Sequence, residues 1–516
     1  MKNRMILVMF IIFALVILNG CTPEQEIPIV CENGEHLVDG NCEIIPIVCN
    51  TDQILENGVC VSQPPVCSVG ETLENGICVT LPPECSVTQI LVDGVCVLIE
   101  INENEKTYTL QQAIRDFNQL VSSLDNNNPM LFSNQEDIIP IIQEQRTLLF
   151  DGMTQIQLFR VLAPIVSAYR CGHTGISPSV VLYQYNREHS PIFPIFVKLI
   201  NQELFVAGNN ESYEIPLGSK IVSINGDSIE TIFELILESL SADGQNITFK
   251  YAMIDMMFNE LYFEYVSSNE TFLIEYIEPD SSILLSQTID GETSEVLYGD
   301  GIFQHEDPFH AEYSDGYAIL TLDTFQPFGS YTRTSFSDFF LEFFTTVENQ
   351  EIQNVIIDIR NNGGGDPMVS SDLFSYIAEY SQPYFAPESP NYYPGLKSNV
   401  PLKEPHFNGN LYVLINGMSF STSGHFSALV KSQGIATFIG EESGGSYTCS
   451  DNSTQFRLSN TGIVLFTSRT IWTVVANGLE FGRGIAPDYQ INQTIEDYLN
   501  DVDTVLDFTI NLITGE

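Results

Sequence analysis

The stretch "LINGMSFSTSGHFSALVKSQGIATFIGEESGGS", residues 414–446, contains the pattern that identifies the type of fold. An apolar run leads into a turn rich in hydroxyl groups. A helical segment and a second apolar run follow, before a glycine-rich turn. Strand, helix and strand in this order predict part of a mixed α/β layer structure. Ser421, in the turn between the first strand and the helix, is a candidate nucleophile.

The same alternation extends over roughly residues 295–495. Helical stretches such as "SFSDFFLEFFTTVENQ" separate apolar runs that suit a buried sheet. The apolar runs are "YAILTLDTF", "NVIIDIR", "NLYVLIN", "IATFIG" and "GIVLFTSR". We therefore predict an α/β (α+β) domain over residues 295–516 that ends in a helix.

Two turns of this domain carry candidate chemistry. In "VIIDIRNNGGGDP", residues 355–367, a buried strand runs into three consecutive glycines, whose N–H groups can approach a ligand as an oxyanion hole requires. Phosphate binding is an equally open use of such a loop. Ser421 stands at the start of a helix, where free N–H groups and the dipole stabilise negative charge. A serine there is often only an N-cap, and that alternative also stays open.

Together these turns resemble those of the carboxyl-terminal processing, or tail-specific, serine peptidases. This family includes the tricorn protease core and the interphotoreceptor retinoid-binding protein modules. The family's glycine motif D-x-R-x-N-x-G-G is matched by Asp358, Arg360, Asn362, Gly364 and Gly365. Ser421 lies nineteen residues before Gly440, at the spacing of the family's nucleophile, which selects it over Ser419 and Ser423. The resemblance spans about residues 110–495 and implies a catalytic fold of the tail-specific protease/crotonase-like type.

The resemblance also implies which residues act with the serine. In the processing-peptidase branch the general base is a lysine, but Ser446 stands at its position here. The tricorn-like branch uses a histidine, matched by His173 in "RCGHTGIS", and a glutamate, matched by Glu480 in "LEFGRGIAPD". A histidine has the right pKa to take a serine proton near neutral pH, and a third group must orient it. His425, one helical turn after Ser421, is the rival base.

Other roles follow from the same resemblance. Backbone N–H groups of Gly364 and Thr422 would hold the oxyanion, and Thr174 would polarise or position the substrate. Gly424 replaces the family's glutamate after the serine. The retinoid-binding relatives carry ligands without proteolysis, so a catalytically inactive binding module on the same fold is the alternative function. Supporting roles around the glycine turn would fall to Asp358, Arg360 and Asn362.

The amino terminus resembles a lipoprotein signal. Lys2 and Arg4 precede the apolar run "MILVMFIIFALVI", and "LNGC" follows it. This arrangement predicts a secretory signal over residues 1–20, and its end resembles a bacterial lipobox. On that resemblance, Cys21 is lipid-modified and anchors the protein to the outer face of the cell membrane. An uncleaved membrane anchor is the alternative, with the same topology.

The charge of the chain restricts its partners. Asp and Glu total 67 against 19 Lys and Arg, a formal charge of −48. This charge disfavours nucleic acid and anionic lipid surfaces. No carboxylate cluster has the spacing of a calcium loop, so neither a metal nor a cofactor is expected. The expected partners are a peptide or protein substrate and, through Cys21, a membrane.

Residues 21–105 contain four 18-residue units with the pattern C-x10-C. In each unit "ENG" or "VDG" between short apolar runs predicts a tight hairpin turn. A disulfide across each hairpin would contribute about 2–3 kcal/mol by the loop-entropy model. The oxidising compartment and the lack of C-x2-C knuckles favour disulfides over zinc. The array would be a spacer, although a binding role stays open. The predicted disulfides are Cys31 with Cys42, Cys49 with Cys60, Cys67 with Cys78, and Cys85 with Cys96.

Two further regions separate the array from the catalytic domain. Residues 106–175 are predicted to be a helical domain that ends in the His173 loop. Its segment "TLQQAIRDFNQLVSSL" has apolar residues at helix spacing, and a Thr154 to Gln157 capping box begins a later helix. Residues 176–294 include "IPLGSKIVSINGDSIETIFELILESL", which resembles the peptide-binding end of a PDZ domain. An ordinary strand, turn and helix of the larger domain is the alternative.

Cys171 and Cys449 lie outside the repeats, near His173 and Ser446 respectively. Because both segments are expected to border the cleft in an oxidising compartment, we predict a disulfide between them. Unpaired core cysteines are the alternative. The whole sequence predicts a membrane-tethered, extracytoplasmic serine endopeptidase that acts on peptides or protein tails.

Overall fold

A computed structural model describes residues 102–208, 214–299 and 307–515, and the backbone of eight short strands between residues 35 and 98. The chain divides into two compact units. One contains the eight strands and ends at Asn102, and the described part of the other begins at Glu103. Within the described residues, no helix combines the length and apolar character needed to cross a membrane.

The strands of the repeat array pair as four antiparallel two-stranded sheets, and the predicted turns between the paired strands lie outside the described residues. In each of these sheets, the second cysteine of the unit is paired in register with a leucine, as Cys42 is with Leu37. The first cysteine of each unit and Cys21 lie outside the described residues, and so do the predicted disulfides and lipid anchor. The strands are β1 (Glu35–Val38), β2 (Asn41–Ile44), β3 (Gln53–Glu56), β4 (Val59–Ser62), β5 (Glu71–Glu74), β6 (Ile77–Thr80), β7 (Gln89–Val92) and β8 (Val95–Leu98).

The helical segment predicted before His173 is present. A Thr154 to Gln157 capping box begins its last helix, as predicted. Its core also contains Leu458, Ile463 and Leu465, so the carboxyl-terminal part of the chain packs directly on these helices. The elements are β9 (Thr107–Tyr108), α1 (Leu110–Asn127), α2 (Gln135–Thr147), β10 (Met153–Thr154) and α3 (Gln155–Ser167).

An antiparallel sheet with two long helices follows. Its elements are β11 (Gly175–Ser177), α4 (Val180–His189), β12 (Pro191–Ile192), β13 (Val197–Ile200), β14 (Glu203–Val206), β15 (Lys220–Ile224), β16 (Asp227–Ser228), α5 (Ile229–Ser239), α6 (Thr248–Leu261), β17 (Thr271–Ile277), β18 (Leu284–Asp290), β19 (Glu292–Thr293) and α7 (Ser294–Tyr298). The main sheet has the order β13-β14-β15-β17-β18. The strand, turn and helix predicted around "NGDS" are therefore present as β15, β16 and α5, and the PDZ-like character stays a prediction.

The carboxyl-terminal part is built on a six-stranded sheet. Its elements are β20 (Phe309–Ser314), β21 (Tyr317–Leu322), α8 (Arg333–Asn349), β22 (Asn354–Asp358), α9 (Pro367–Phe374), β23 (Asn410–Ile415), α10 (Thr422–Gln433), β24 (Ala436–Gly440), β25 (Thr448–Asp451), β26 (Thr454–Arg457), β27 (Val464–Thr467), β28 (Thr470–Thr473), β29 (Tyr489–Gln490), α11 (Ile495–Leu499) and α12 (Thr504–Thr514). The sheet order is β20-β21-β22-β23-β24-β29, parallel except for the β20–β21 pair. The mixed α/β prediction is confirmed.

Alternate residues of the parallel strands face two different layers. One face packs on α8, α9 and α10 in a large apolar core, and the other packs on α12. The run "GIVLFTSR" was expected in this sheet but lies outside it, because β27 pairs with β26 and β11 instead. The neighbouring parallel strands β22 and β23 end at the same edge. The glycine turn and the Ser421 turn, which follow these strands, therefore lie side by side.

Candidate active site

Ser421 occupies a strained position between β23 and α10. Its backbone has φ 55° and ψ −120°, a conformation that non-glycine residues rarely adopt. Such strain persists only where the surrounding structure enforces it, and it clusters at functional sites. The side chain makes no capping hydrogen bond to α10. The N-cap alternative is therefore wrong.

His173 lies directly against this serine. Its Nε2 is 2.9 Å from Ser421 Oγ, although the two residues are 248 positions apart in the chain. The ring also contacts Phe420, with ring centroids 4.7 Å apart. His173 follows α3 and precedes β11, and the pairing of β11 with β27 joins its loop to the carboxyl-terminal part of the chain.

The loop that carries His173 is held by hydrogen bonds from other segments of the chain. Ser453 Oγ donates to the His173 carbonyl at 2.7 Å. Thr174 Oγ1 accepts from Asn128 Nδ2 at 2.9 Å and from the Ser468 N–H at 3.1 Å. Thr174 is fully buried in this network. The Thr174 hydroxyl faces the interior and fixes the loop, so the predicted role of Thr174 in polarising or positioning the substrate stays a prediction without a contact in its support.

Asn362 shapes the glycine turn. Its Oδ1 accepts from the Gly364 N–H at 2.9 Å and from Ser423 Oγ at 2.7 Å, and its Nδ2 donates to the Leu322 carbonyl at 3.0 Å. The Gly364 N–H is thus already engaged, and the prediction that it holds an oxyanion is wrong for this structure. Thr422 is the first residue of α10, where N–H groups have no acceptor within the helix. The Thr422 N–H therefore stays the predicted hydrogen-bond donor to the oxyanion.

Gly364 nevertheless adjoins the nucleophile. Its φ is +100°, and a Cβ built on it would lie 2.7 Å from Ser421 Cβ and 2.8 Å from the Thr422 nitrogen. Only glycine fits such a close backbone approach. The glycine turn therefore acts as one wall of the Ser421 turn.

Arg360 ties the glycine turn to the end of the chain. Its guanidinium hydrogen bonds both oxygens of Asp358 and both of Asp503, at 2.6–3.1 Å. These two carboxylates raise the pKa of Arg360 against the effect of burial. Asp503 caps α12, so this network fixes the start of the glycine turn to that helix. Asp358 and Arg360 are therefore placed to support the turn and not to touch a substrate.

Glu480 is not brought to His173. It lies on an exposed, irregular segment between Gly478 and Gly482, and not on a strand. His173 Nδ1 is buried and has no hydrogen-bond partner among the described residues. The predicted Glu480 contact is therefore absent here, because the chain leaves the β25–β28 sheet before it reaches this residue.

Sequence reasoning missed a buried carboxylate beside the histidine. Asp243 is 1% exposed, and its Oδ1 accepts the Gly172 N–H at 2.8 Å. Burial raises the pKa of Asp243 to about 6, against the opposing charge of His173. Asp243 lies in the polar segment "SADGQN", whose pattern indicates only a turn. A second carboxylate, on the half-exposed Asp451, has Oδ2 4.0 Å from His173 Nε2.

The rival residues have other structural roles. His425 is buried, and burial lowers its pKa to about 3. Its Nε2 contacts Cys449 Sγ at 3.6 Å and not Ser421. Ser419 Oγ donates to the Ile359 carbonyl at 2.8 Å, and Ser423 Oγ is bound by Asn362. The geometry therefore leaves Ser421 and His173 as the pair.

Cys171 and Cys449 are both free, buried thiols, so the predicted disulfide is wrong. Strand β25 explains this, because successive side chains of a strand point to opposite faces. Ser450 Oγ faces Cys171 Sγ at 3.1 Å, while Cys449 faces His425 from the other side of the strand. Burial raises the pKa of both thiols.

Gly424 and Ser446 are tightly enclosed. A Cβ on Gly424 would lie 2.3 Å from the Gly445 carbonyl carbon, so a larger side chain has no room here. Ser446 is 2% exposed, and its Oγ has no hydrogen-bond partner among the described residues.

Within the described residues, no group of three or more His, Cys, Asp or Glu could hold a metal ion.

Comparisons with known proteins agree with this geometry. Residues 316–491, which include Ser421 and the glycine turn, match the model of Peptidase family S41. No match was found among curated proteins. Among solved structures, mature CPAF in complex with lactacystin has a TM-score of 0.59 and 12% identity, covering 79% of this chain and 100% of that one.

A second structure of mature CPAF has a TM-score of 0.57 and 12% identity, covering 79% of this chain and 99% of its own. The photosystem II D1 C-terminal processing protease has a TM-score of 0.39 and 13% identity, covering 74% and 93%. Because the two CPAF structures are only 12% identical to this chain, their similarity shows a shared fold and nothing more. The family match and this S41 protease-like fold together support a serine-type peptidase with a peptide or protein substrate.

Proposed function

We propose that the chain is an extracytoplasmic serine endopeptidase in which Ser421 is the nucleophile and His173 the general base. The observation that supports it most is the 2.9 Å contact between Ser421 Oγ and His173 Nε2 at the strained turn. A general base must lie within hydrogen-bond reach of the proton it removes. Among the described residues, no other basic side chain hydrogen bonds to Ser421.

In this proposal Ser421 Oγ attacks the peptide carbonyl carbon while His173 Nε2 takes the hydroxyl proton. The charge that develops on the carbonyl oxygen would be stabilised by the Thr422 N–H, at the positive end of the α10 dipole. The imidazolium then gives its proton to the leaving amine. A water molecule next attacks the carbonyl carbon of the acyl-enzyme while His173 takes its proton, and the proton returns to Ser421 as the acyl group leaves. Glu480, the third member of the predicted Ser-His-Glu arrangement, stays a prediction without a contact in its support.

The substrate would be an extended peptide, and a protein tail is the form we favour. In the six-stranded sheet that contains β15, strands β13 and β18 stand at the two ends of the main strand order, and an edge strand can accept an added peptide strand. A PDZ-like role would select peptides with a free carboxyl terminus. Matched substrates with a free or an amidated terminus test this, and equal kcat/KM for the two forms would remove the tail preference.

The proposal includes a lipid tether at Cys21 to the outer face of a bacterial cell membrane. It is supported by the signal-like amino terminus that ends in "LNGC". Changing Cys21→Ser should move the protein from the membrane fraction to the soluble fraction of secreting cells. A Cys21→Ser protein that stays with the membrane would contradict the tether but not the peptidase.

A fluorophosphonate probe tests the nucleophile directly, because it reacts with an activated serine. The wild-type protein should be labelled, and Ser421→Ala should not. Ser427→Ala is the matched control, since Ser427 lies on the same helix and its hydroxyl has no partner among the described residues. His173→Ala should lower the labelling rate by about 10³-fold or more.

A folded wild-type protein that the probe does not label would favour the alternative, an inactive binding module on this fold. Full labelling of His173→Ala would show that the assigned base is wrong while the nucleophile survives. Circular dichroism of each variant separates these outcomes from misfolding.

A further inference from the structure

Two buried polar atoms at the Ser421–His173 pair make no hydrogen bond within the described part of the chain. One is Nδ1 of His173 itself, and the other is Oδ2 of the neighbouring Asp243. Asp243 is 1% exposed. Buried side-chain polar atoms are nearly always hydrogen bonded, and an exception in a native structure calls for an explanation. A donor and an acceptor that are both unpaired on adjoining loops suggest that they serve each other.

Two hydrogen bonds fix the loop that carries Asp243 against the loop that carries His173. Asp243 Oδ1 accepts the Gly172 N–H at 2.8 Å, and the Gly244 N–H donates to the Arg170 carbonyl at 3.0 Å. These bonds hold the Asp243 carboxylate beside the residue that precedes His173. Gly172 permits the close approach of Phe420 on the other side, since a Cβ there would lie 2.6 Å from Phe420 Cζ.

We propose that Asp243 is the positioning residue that orients His173, by accepting a hydrogen bond from Nδ1–H at Oδ2 through one water molecule. This inference rests on the proposed function. A proton on Nδ1 leaves Nε2 free to accept the Ser421 proton. When that proton arrives, the ring becomes an imidazolium, and the Asp243 carboxylate stabilises its charge. Asp243 itself gains no proton in this step.

The other two carboxylates are less suited to this role. Asp451 lies 4.0 Å from Nε2, the nitrogen that already faces Ser421, and is 38% exposed. Glu480 is exposed on a segment without regular structure. Of these three carboxylates, all in the described part of the chain, only Asp243 combines burial with an unpaired oxygen and an anchored position beside the histidine.

The ionisation of Asp243 is compatible with this role. Burial raises its pKa to about 6, and the His173 charge and the Gly172 N–H act in the opposite direction. The other titratable groups that interact with it are Asp451, Cys171 and Cys449. The carboxylate is therefore ionised from neutral pH upward, where a histidine base is neutral and active.

The test uses the full-length protein and a peptide substrate, with kcat and KM measured from pH 5 to pH 9. Asp243→Asn keeps an oxygen for the Gly172 N–H but cannot accept from Nδ1–H in the same way. We expect kcat at pH 8 to fall on the order of 10²-fold or more while KM is unchanged. The acidic limb of the kcat profile should move to lower pH, because the imidazolium loses its stabilising charge. Asp243→Glu should recover part of kcat.

Asp116→Asn is the control for a purely structural carboxylate. Asp116 is fully buried and accepts the N–H groups of Asn460 and Thr461, and these hydrogen bonds do not involve the His173 loop. It should lose stability without a change in the pH profile. A kcat for Asp243→Asn within about threefold of wild type, or an acidic limb that does not move, would overturn the proposal. The proposal would also fail if Glu480→Gln lowered kcat and moved the acidic limb while Asp243→Asn did neither.

Should Asp243→Asn fail to fold, Asp243→Ser decides, because it also removes the carboxylate, and a wild-type kcat and acidic limb in that variant would overturn the proposal. Ser421→Ala and His173→Ala separate this inference from the proposed function. If both abolish activity but the Asp243 variants do not reduce it, only the inference fails. If neither reduces activity, the proposed function fails first.

Discussion

Replacing Gly364 with alanine is predicted to displace the nucleophile. The alanine Cβ would lie 2.7 Å from Ser421 Cβ and 2.8 Å from both the Phe420 carbonyl oxygen and the Thr422 nitrogen. Ordinary contact begins at about 3.4 Å, so about 0.7 Å must be taken up by movement of the glycine turn or the Ser421 turn. All the opposing atoms belong to backbone or to a Cβ, and none can swing aside.

This displacement converts into a loss of rate. A misplacement of about 1 Å at a catalytic group costs on the order of 10²-fold, so 0.7 Å predicts a fall in kcat of roughly 30-fold to 100-fold. The left-handed φ of +100° adds a stability cost of about 1–2 kcal/mol for alanine. Peptide hydrolysis gives kcat, and urea denaturation gives the free energy of unfolding.

Gly316→Ala is the matched control, because Gly316 has φ +90° but open space around its Cβ position. It should show the same loss of stability with kcat unchanged, which separates backbone strain from steric displacement. A Gly364→Ala protein that is folded and retains wild-type kcat would refute the reasoning that the glycine turn positions Ser421.

Three further predictions concern buried groups. Burial raises the pKa of Glu264 from 4.5 to about 8, so its stabilising contribution is present below pH 4.5 and lost as the pH rises through 8. The free energy of unfolding should therefore fall by on the order of 1–3 kcal/mol over this range, and less in Glu264→Gln. Cys171 and Cys449 should resist alkylation in the native protein and react after unfolding, whereas a bonded pair would react only after reduction. Gly424→Ala should abolish activity and lower the unfolding midpoint, because its Cβ meets the Gly445 backbone, whereas Gly434→Ala, with φ +67° in open space, should stay active.

Local features of the fold were predictable because local sequence determines them. The Thr154 capping box, the paired strands of the repeats and the strand, turn and helix around Ser421 all depend on residues within a few positions of one another. The glycine turn was predictable for the same reason. Its hydrogen bonds were not, since the Gly364 N–H is engaged by a side chain whose orientation also depends on Ser423.

The errors concern contacts between distant segments. Cys171 and Cys449 were expected to be bonded because both segments border the cleft, but the alternation of β25 turns Cys449 toward His425. Glu480 matches a motif, yet the segment that carries it leaves the sheet and is exposed. A motif gives the identity of a residue and not the direction of its side chain.

The sequence by itself determined the α/β class, the strand-to-helix turn at Ser421 and the glycine turn beside it, because periodicity and turn chemistry act over a few residues. Only the tertiary structure decided which groups surround the serine. The pairing of β11 with β27 brings His173 across 248 positions to Ser421, and the burial of Asp243 gives that histidine a carboxylate neighbour. Proximity of this kind depends on how packed elements meet, and no local pattern along the chain specifies it.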